Sequence, residues 1–253
     1  MSRHTPLIFV LLLAATLSVD AVVAYVDWSR HSSDALDLYV RITLFALMFG
    51  ELGVASIWAV FSRGAWSVRW GLPAAATLFA GWLTADRGLS LADTLGLWGS
   101  YALVTSIVLW ALKHTSTWRR LARYPAGPRW QFGVKHVLLL MTIIGTIIVA
   151  WRAGELFQNS WNEVVFLVVG STAIVAGATF IRQLRIHFML RLAALLALGL
   201  AIGVLASWTN WIHLRSWTEA AAFFLIQAVV LAAWLELVPI IPRPAPDGAG
   251  ADR

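Results

Sequence analysis

Residues 37–61 read DLYVRITLFALMFGELGVASIWAVF. After Asp37 the run holds only two charges, Arg41 and Glu51, and no proline. A helix of about 20 apolar residues, rising about 1.5 Å per residue, crosses a hydrocarbon core of about 30 Å. The stretch therefore predicts a membrane-spanning helix, and the sequence on either side decides what surrounds it.

Seven further apolar stretches flank it, at 7–26, 68–85, 95–112, 136–151, 164–181, 188–208 and 218–241. The one at 136–151 is short. It must borrow Phe132 to His136 or sit where the bilayer thins. Sixty per cent of the chain is hydrophobic and 13% is charged, against roughly 25% charged in soluble domains. The expected fold class is all-α: a polytopic transmembrane helical bundle of eight spans, with no room for a sizeable water-soluble domain. The chain has no cysteine, which excludes disulfides, thiol catalysis and Cys-type zinc sites.

The basic residues orient the bundle. With the first span entering from the cytoplasm, fourteen of the 19 Arg and Lys fall on the cytoplasmic side; the other five are Arg30, Arg41, Arg87, Arg152 and Arg215. This asymmetry is the positive-inside pattern, and it makes both termini cytoplasmic. The 15 tryptophans fall at expected span ends or in loops, where indole meets the headgroup level. The net charge of +6 is carried by short connectors between apolar blocks, which points to anionic lipid headgroups and not to nucleic acid. The expected location is a bacterial cytoplasmic (inner) membrane.

The long basic connector 113–135 divides the chain into two four-span halves, 1–112 and 136–241. Within it, STWRRLARY (116–124) places Trp118, Leu121 and Tyr124 on one helical face, with Arg119, Arg120 and Arg123 around them. That is the pattern of a short interfacial helix touching headgroups. Each half starts and ends inside, so any duplication would be parallel. Arg69 and Arg191 occupy matching places in the two halves, as topology alone would arrange. The tail 242–253, PRPAPDGAGADR, reads as disordered. The first span also has features of a signal peptide, with a basic start, an apolar core at Leu7–Leu17 and small residues at Val22–Ala24. The apolar run continuing around Asp20 to Val26 favours a retained span.

Residues 129–151 read RWQFGVKHVLLLMTIIGTIIVAW. The order Arg129, Trp130-Gln131-Phe132, Lys135, then Leu138-Leu139-Leu140-Met141-Thr142 resembles a motif of uncharacterised membrane proteins from planctomycete bacteria. The match covers under a tenth of the chain. It implies a lineage and a cytoplasmic entry to a span, and carries no catalytic or binding role.

Charges inside a bilayer are costly and each needs a reason. Five fall within the expected spans: Asp20, Arg41, Glu51, Arg191 and Glu236. Asp20 and Arg41 sit at similar depths, roughly 9 and 6 Å below the outer ends of the first two spans. An ion pair is expected of them. Arg191 and Glu236 form a similar candidate pair at the cytoplasmic ends of the last two spans, where each could also snorkel separately. Glu51 lies near the midplane, about 15 Å along the helix from Arg41. It is expected to be protonated, or bonded to a polar group on another helix. Thr77, Ser106, Thr142, Thr146, Ser171, Thr172 and Gln227 are candidates for that group. Gly50 and Gly53 beside it would admit a close neighbour. Gly199 and Gly203 form a GxxxG pair, flanked by Ala193, Ala197 and Ala201; Gly170 and Gly177 mark a second packing face.

The six histidines show no metal-ligand spacing, and phosphate-loop, dinucleotide and nucleophile-elbow motifs do not occur. No catalytic residue, cofactor site or metal site is therefore expected. The reading that follows is a non-enzymatic membrane bundle, acting as a scaffold, sensor or assembly partner. Its partners would be the anionic bilayer and a second copy of itself or other membrane proteins. The alternative is a small-solute or proton-coupled transporter using Glu51.

Overall fold

A helix that is apolar all round has no side to turn to water, and packing draws it to the centre of its neighbours. In the computed structural model that helix is α1 (Ala35–Phe61). Its most apolar stretch is 89% buried. The structure describes residues 21–22, 35–62, 65–85, 90–115, 145, 160–184, 186–208 and 217–237. Outside them lie the tail and, but for Ala21, Val22 and Gly145, the expected spans 7–26 and 136–151 and the 129–151 motif. Asp20, Trp118, Arg119, Arg120 and Arg123 are also outside.

The other described helices are α2 (Trp66–Ala85), α3 (Leu91–His114), α4 (Trp161–Gln183), α5 (Phe188–Trp208) and α6 (Trp217–Leu237). Among the described residues there is no strand. Five of these six helices are long and apolar enough to cross a membrane, compatible with a multi-pass membrane protein. The exception is α2, which falls on the expected span 68–85. It carries Arg69 in its first turn and a buried Pro73. The sequence reading places the start of α3 at residue 95; the helix begins at Leu91. The reason is local. Ser90 Oγ accepts from Asp93 N at 3.1 Å, and Asp93 Oδ2 accepts from Ser90 N at 3.2 Å. This reciprocal cap satisfies donors that the first turn leaves open.

Around α1 stand α2, α3, α4 and α6, while α5 packs outside against α6 and α4. One apolar core runs through both halves of the chain. Phe49 is at its heart, with ring centroids 4.7 Å from Trp98, 4.6 Å from Tyr101 and 5.5 Å from Phe223. These are favourable tilted and edge-on separations. Trp98 is fully buried, and Trp58 and Trp234 are each 4% exposed. Expected at headgroup depth, these three indoles turn inward to protein. The indole N–H of Trp98 finds Thr84 Oγ1 at 3.1 Å instead.

Small residues set the closest approaches. A Cβ at Gly203 would stand 2.6 Å from Ala221 Cα, and one at Gly199 would stand 2.9 Å from the Phe224 carbonyl oxygen. Both obstacles are α6 backbone, which cannot swing aside. Gly170 faces the Phe224 ring and Ile202, and Gly177 faces Leu198. Lipid offers no hydrophobic drive to associate helices, so such contacts hold a bundle through van der Waals packing.

The helices share a common polarity. Arg69 Nε and Nη2 donate to Ala59 O at 2.7 and 2.5 Å, and Lys113 Nζ donates to Val60 O at 2.7 Å. These bonds join the last turn of α1 to the start of α2 and the end of α3. They also place cations on the carbonyls where the helix dipole is negative. Arg182 and Arg191 both reach Glu236, joining the end of α4, the start of α5 and the end of α6. Four described cations thus gather at one end of the bundle. Asp93, Glu163 and Glu219 occupy first turns at the other.

Candidate functional site

Two polar layers cross the bundle. The first is at mid-height. Tyr101 Oη donates to the Phe49 carbonyl at 2.8 Å, and Gln227 Nε2 donates to Tyr101 Oη at 3.3 Å. Gln227 Nε2 also points at the Ser171 carbonyl, 3.5 Å away. Nearby on α3 and α4, Thr105 Oγ1 and Thr172 Oγ1 are 2.8 Å apart. Tyr101, Thr105 and Gln227 are fully buried. Each bond joins two different helices, so the layer ties α1, α3, α4 and α6 at one height. Hydrogen bonds of this kind between membrane helices contribute on average about 0.6 kcal/mol.

Glu51 belongs to this level of α1 and is 3% exposed. Gly50 and Gly53 bracket it. A Cβ at Gly50 would meet Val230 Cγ1 at 2.9 Å; one at Gly53 would meet Val175 Cγ2 at 2.6 Å and Tyr101 Oη at 2.9 Å. The backbone of α1 is therefore pressed against α3, α4 and α6 on both sides of the carboxylate. Tyr101 and Thr105 escaped the sequence reading. A tyrosine in mid-span is a usable signal, because a buried phenol needs a hydrogen-bond partner.

The second layer is at the basic end. Arg182 Nη1 and Arg191 Nη1 converge on one oxygen, Glu236 Oε1, at 2.7 and 2.6 Å. Arg191 Nε also donates to the Ile186 carbonyl at 3.0 Å. The Arg182 side chain is 3% exposed, Arg191 18% and Glu236 25%. The structure thus brings Arg191 and Glu236 together, and they do not snorkel separately. Arg182 was missed because the apolar run stops at residue 181 and the arginine read as a connector charge. The helix runs on to Gln183. A cavity of about 20 Å³ opens beside the three charges, walled by apolar residues of α4, α5 and α6.

Arg41 is exposed in the second turn of α1, and its expected partner Asp20 lies outside the described residues. His114 Nδ1 is 2.8 Å from the carbonyl of Trp110, one turn back. Among the described residues no three His, Asp or Glu converge on one point. The chain matches no family model, no curated protein and no solved structure.

Proposed function

We propose that the protein is an eight-span protein of a bacterial cytoplasmic membrane that works without catalysis, as a scaffold, sensor or assembly partner. One observation carries this reading. The central helix is packed on all sides at the height of its only deep charge, with no room for a Cβ at Gly50 or Gly53. A carrier needs water to reach its coupling carboxylate; a packed centre suits a protein whose surfaces do the work.

Polarity of the bundle supports one further crossing, between α3 and α4. α3 finishes at the basic end and α4 starts at the opposite one, so this reading needs an odd number of crossings between them. The expected span 136–151 supplies one. Gathering of Arg69, Lys113, Arg182 and Arg191 at one end supports a cytoplasmic placement of that end, where α6 finishes; a cytoplasmic N-terminus rests on the expected span 7–26.

A transporter is the second reading, favoured by the buried carboxylate beside the Tyr101–Gln227 chain. A flux assay separates the two. Liposomes loaded with a pH-sensitive dye receive purified protein, and a pH gradient is imposed. Equal leak with and without protein, unchanged by Glu51→Gln, is expected. A protein-dependent proton flux that Glu51→Gln abolishes would establish the transporter and end the scaffold reading.

A further inference from the structure

We propose that the Arg182–Arg191–Glu236 cluster is a binding site for the phosphate of an anionic membrane phospholipid, a reading that rests on the protein being membrane-embedded. Within the cluster two guanidinium groups face one carboxylate, an excess of one positive charge among these three side chains at the end of three apolar helices. Both guanidiniums use their Nη1 on the same oxygen. Arg191 spends its Nε on Ile186 O, and among the described residues its Nη2 donates to none. This side chain is the partly exposed one of the two arginines. A donor left over at a half-open rim is suited to one more oxygen, and guanidinium geometry favours phosphate.

The start of α5 adds to the attraction. Its first intrahelical bond at this end runs from Arg191 N to His187 O, so the N–H groups of Phe188, Met189 and Leu190 precede the helical ladder. They point outward from the positive end of a 21-residue helix. The anion would thus meet Arg191 and the helix terminus together.

Its size and walls say what carries the phosphate. The cavity, about 20 Å³, admits about one water-sized group, so a phosphoryl oxygen enters it while the rest of the headgroup stays outside. Phe188, Leu192, Leu195 and Leu235 line it, and α5 is the least buried of the five apolar helices, at 22%. An acyl chain can lie along that wall. A free phosphate ion would gain nothing from it. Basic pockets between helices at a cytoplasmic surface hold lipid headgroups by this combination.

Native mass spectrometry of the purified full chain in detergent tests the site, with dioleoylphosphatidylglycerol, dioleoylphosphatidylcholine and inorganic phosphate as probes. Phosphatidylglycerol should be retained at least about fivefold over phosphatidylcholine, the effect of roughly one headgroup charge. Arg191→Gln should remove about fivefold of that retention and Arg191→Lys should restore most of it. Glu236→Gln, which raises the net charge, should strengthen retention instead. Opposite signs for Arg191→Gln and Glu236→Gln cannot come from simple loss of structure. Equal retention of the two lipids, or Arg191→Lys as weak as Arg191→Gln, would overturn the site. Full competition by inorganic phosphate would make it a phosphate-ion site and overturn the lipid assignment. Release of the protein from membranes by alkaline carbonate would sink the membrane reading itself; an embedded protein blind to lipid charge sinks only the site.

Discussion

Glu51 and Glu236 are both carboxylates on apolar helices, but the two levels of the bundle hold them differently. Glu51 is 3% exposed, beside hydrogen bonds that join neutral groups: a phenol, an amide, two hydroxyls and backbone carbonyls. Glu236 keeps a quarter of its side chain exposed and takes two arginines on one oxygen. The difference follows from access to water and headgroups. At a helix end a guanidinium can stay partly hydrated along its edge, so its desolvation cost is moderate. At mid-height an ion pair would carry the full cost, and neutral bonds distribute the polar load over four helices. The basic end is built on charge and the middle on packing and neutral hydrogen bonds, and each variant below presses on one side of that contrast.

The largest effect should come from the basic end. Glu236→Ala leaves Arg182, with a side chain only 3% exposed, facing Arg191 without their shared acceptor. Removing one member of a buried pair costs about 3–5 kcal/mol, and exposed pairs cost far less. With Glu236 a quarter exposed, a loss of about 3 kcal/mol is expected, read as a fall in unfolding free energy in detergent. Glu236→Gln keeps an acceptor oxygen and should lose less. A loss under about 1 kcal/mol for the alanine variant would mean that the cluster is solvated and that charge does not hold this end.

Next is Gly53→Val, which attacks packing at mid-height. Its Cβ would meet Val175 Cγ2 at 2.6 Å and Tyr101 Oη at 2.9 Å. Overpacking of this kind costs about 1–3 kcal/mol, and about 2 kcal/mol is expected here, together with loss of the Tyr101–Phe49 bond. Gly71, where nothing stands within 4 Å of a Cβ, is the control. Gly71→Ala should leave stability unchanged or slightly raised. Equal losses at the two glycines would remove close approach as the explanation.

What the sequence disclosed of this contrast depended on range. The six described helices coincide with expected spans because an apolar run is a local signal; α5 matches its span 188–208 at both ends. Helix ends were less legible. Asp93 read as an outer-loop charge because its cap with Ser90 is set by geometry that composition does not register. The sites were legible by residue type more than by partner. Arg191, Glu236, Glu51 and Gln227 were singled out as polar groups in apolar surroundings, but pairing is a tertiary fact. Arg182 is 54 residues from Glu236, and Gln227 is 126 from Tyr101. No periodicity encodes those separations. Which face α1 turns to which neighbour was equally hidden, because a helix apolar all round gives no direction.

Tyr101→Phe tests the neutral bonds themselves. It removes the donor to Phe49 O and the acceptor of Gln227 Nε2, with little change of shape. Bonds between membrane helices are worth about 0.6 kcal/mol on average and up to about 1.7, so two of them predict a loss of about 1 kcal/mol. A double-mutant cycle with Gln227→Leu should show coupling, because both changes break the same bond. Strict additivity would mean that the 3.3 Å contact contributes nothing.

The smallest change is expected at Glu51 itself, and it bears most directly on the contrast. Glu51→Gln keeps the side chain's shape and an acceptor oxygen and removes the capacity to ionise. A level that depends on packing and neutral hydrogen bonds should tolerate this within about 0.5 kcal/mol, the usual range for changes that leave such features intact. Glu51→Leu keeps the volume and removes all polarity; burial of an apolar group in place of a hydrogen-bonded one is often nearly neutral when partners are not left stranded. If both variants unfold at the wild-type midpoint, the carboxylate is dispensable to the stability of the bundle. If Glu51→Leu costs more than about 2 kcal/mol while Glu51→Gln costs little, the side chain is a structural hydrogen-bonding post. A loss at Glu51→Gln as large as that at Glu236→Ala would mean that the middle is also built on charge, and the distinction between the two levels would collapse.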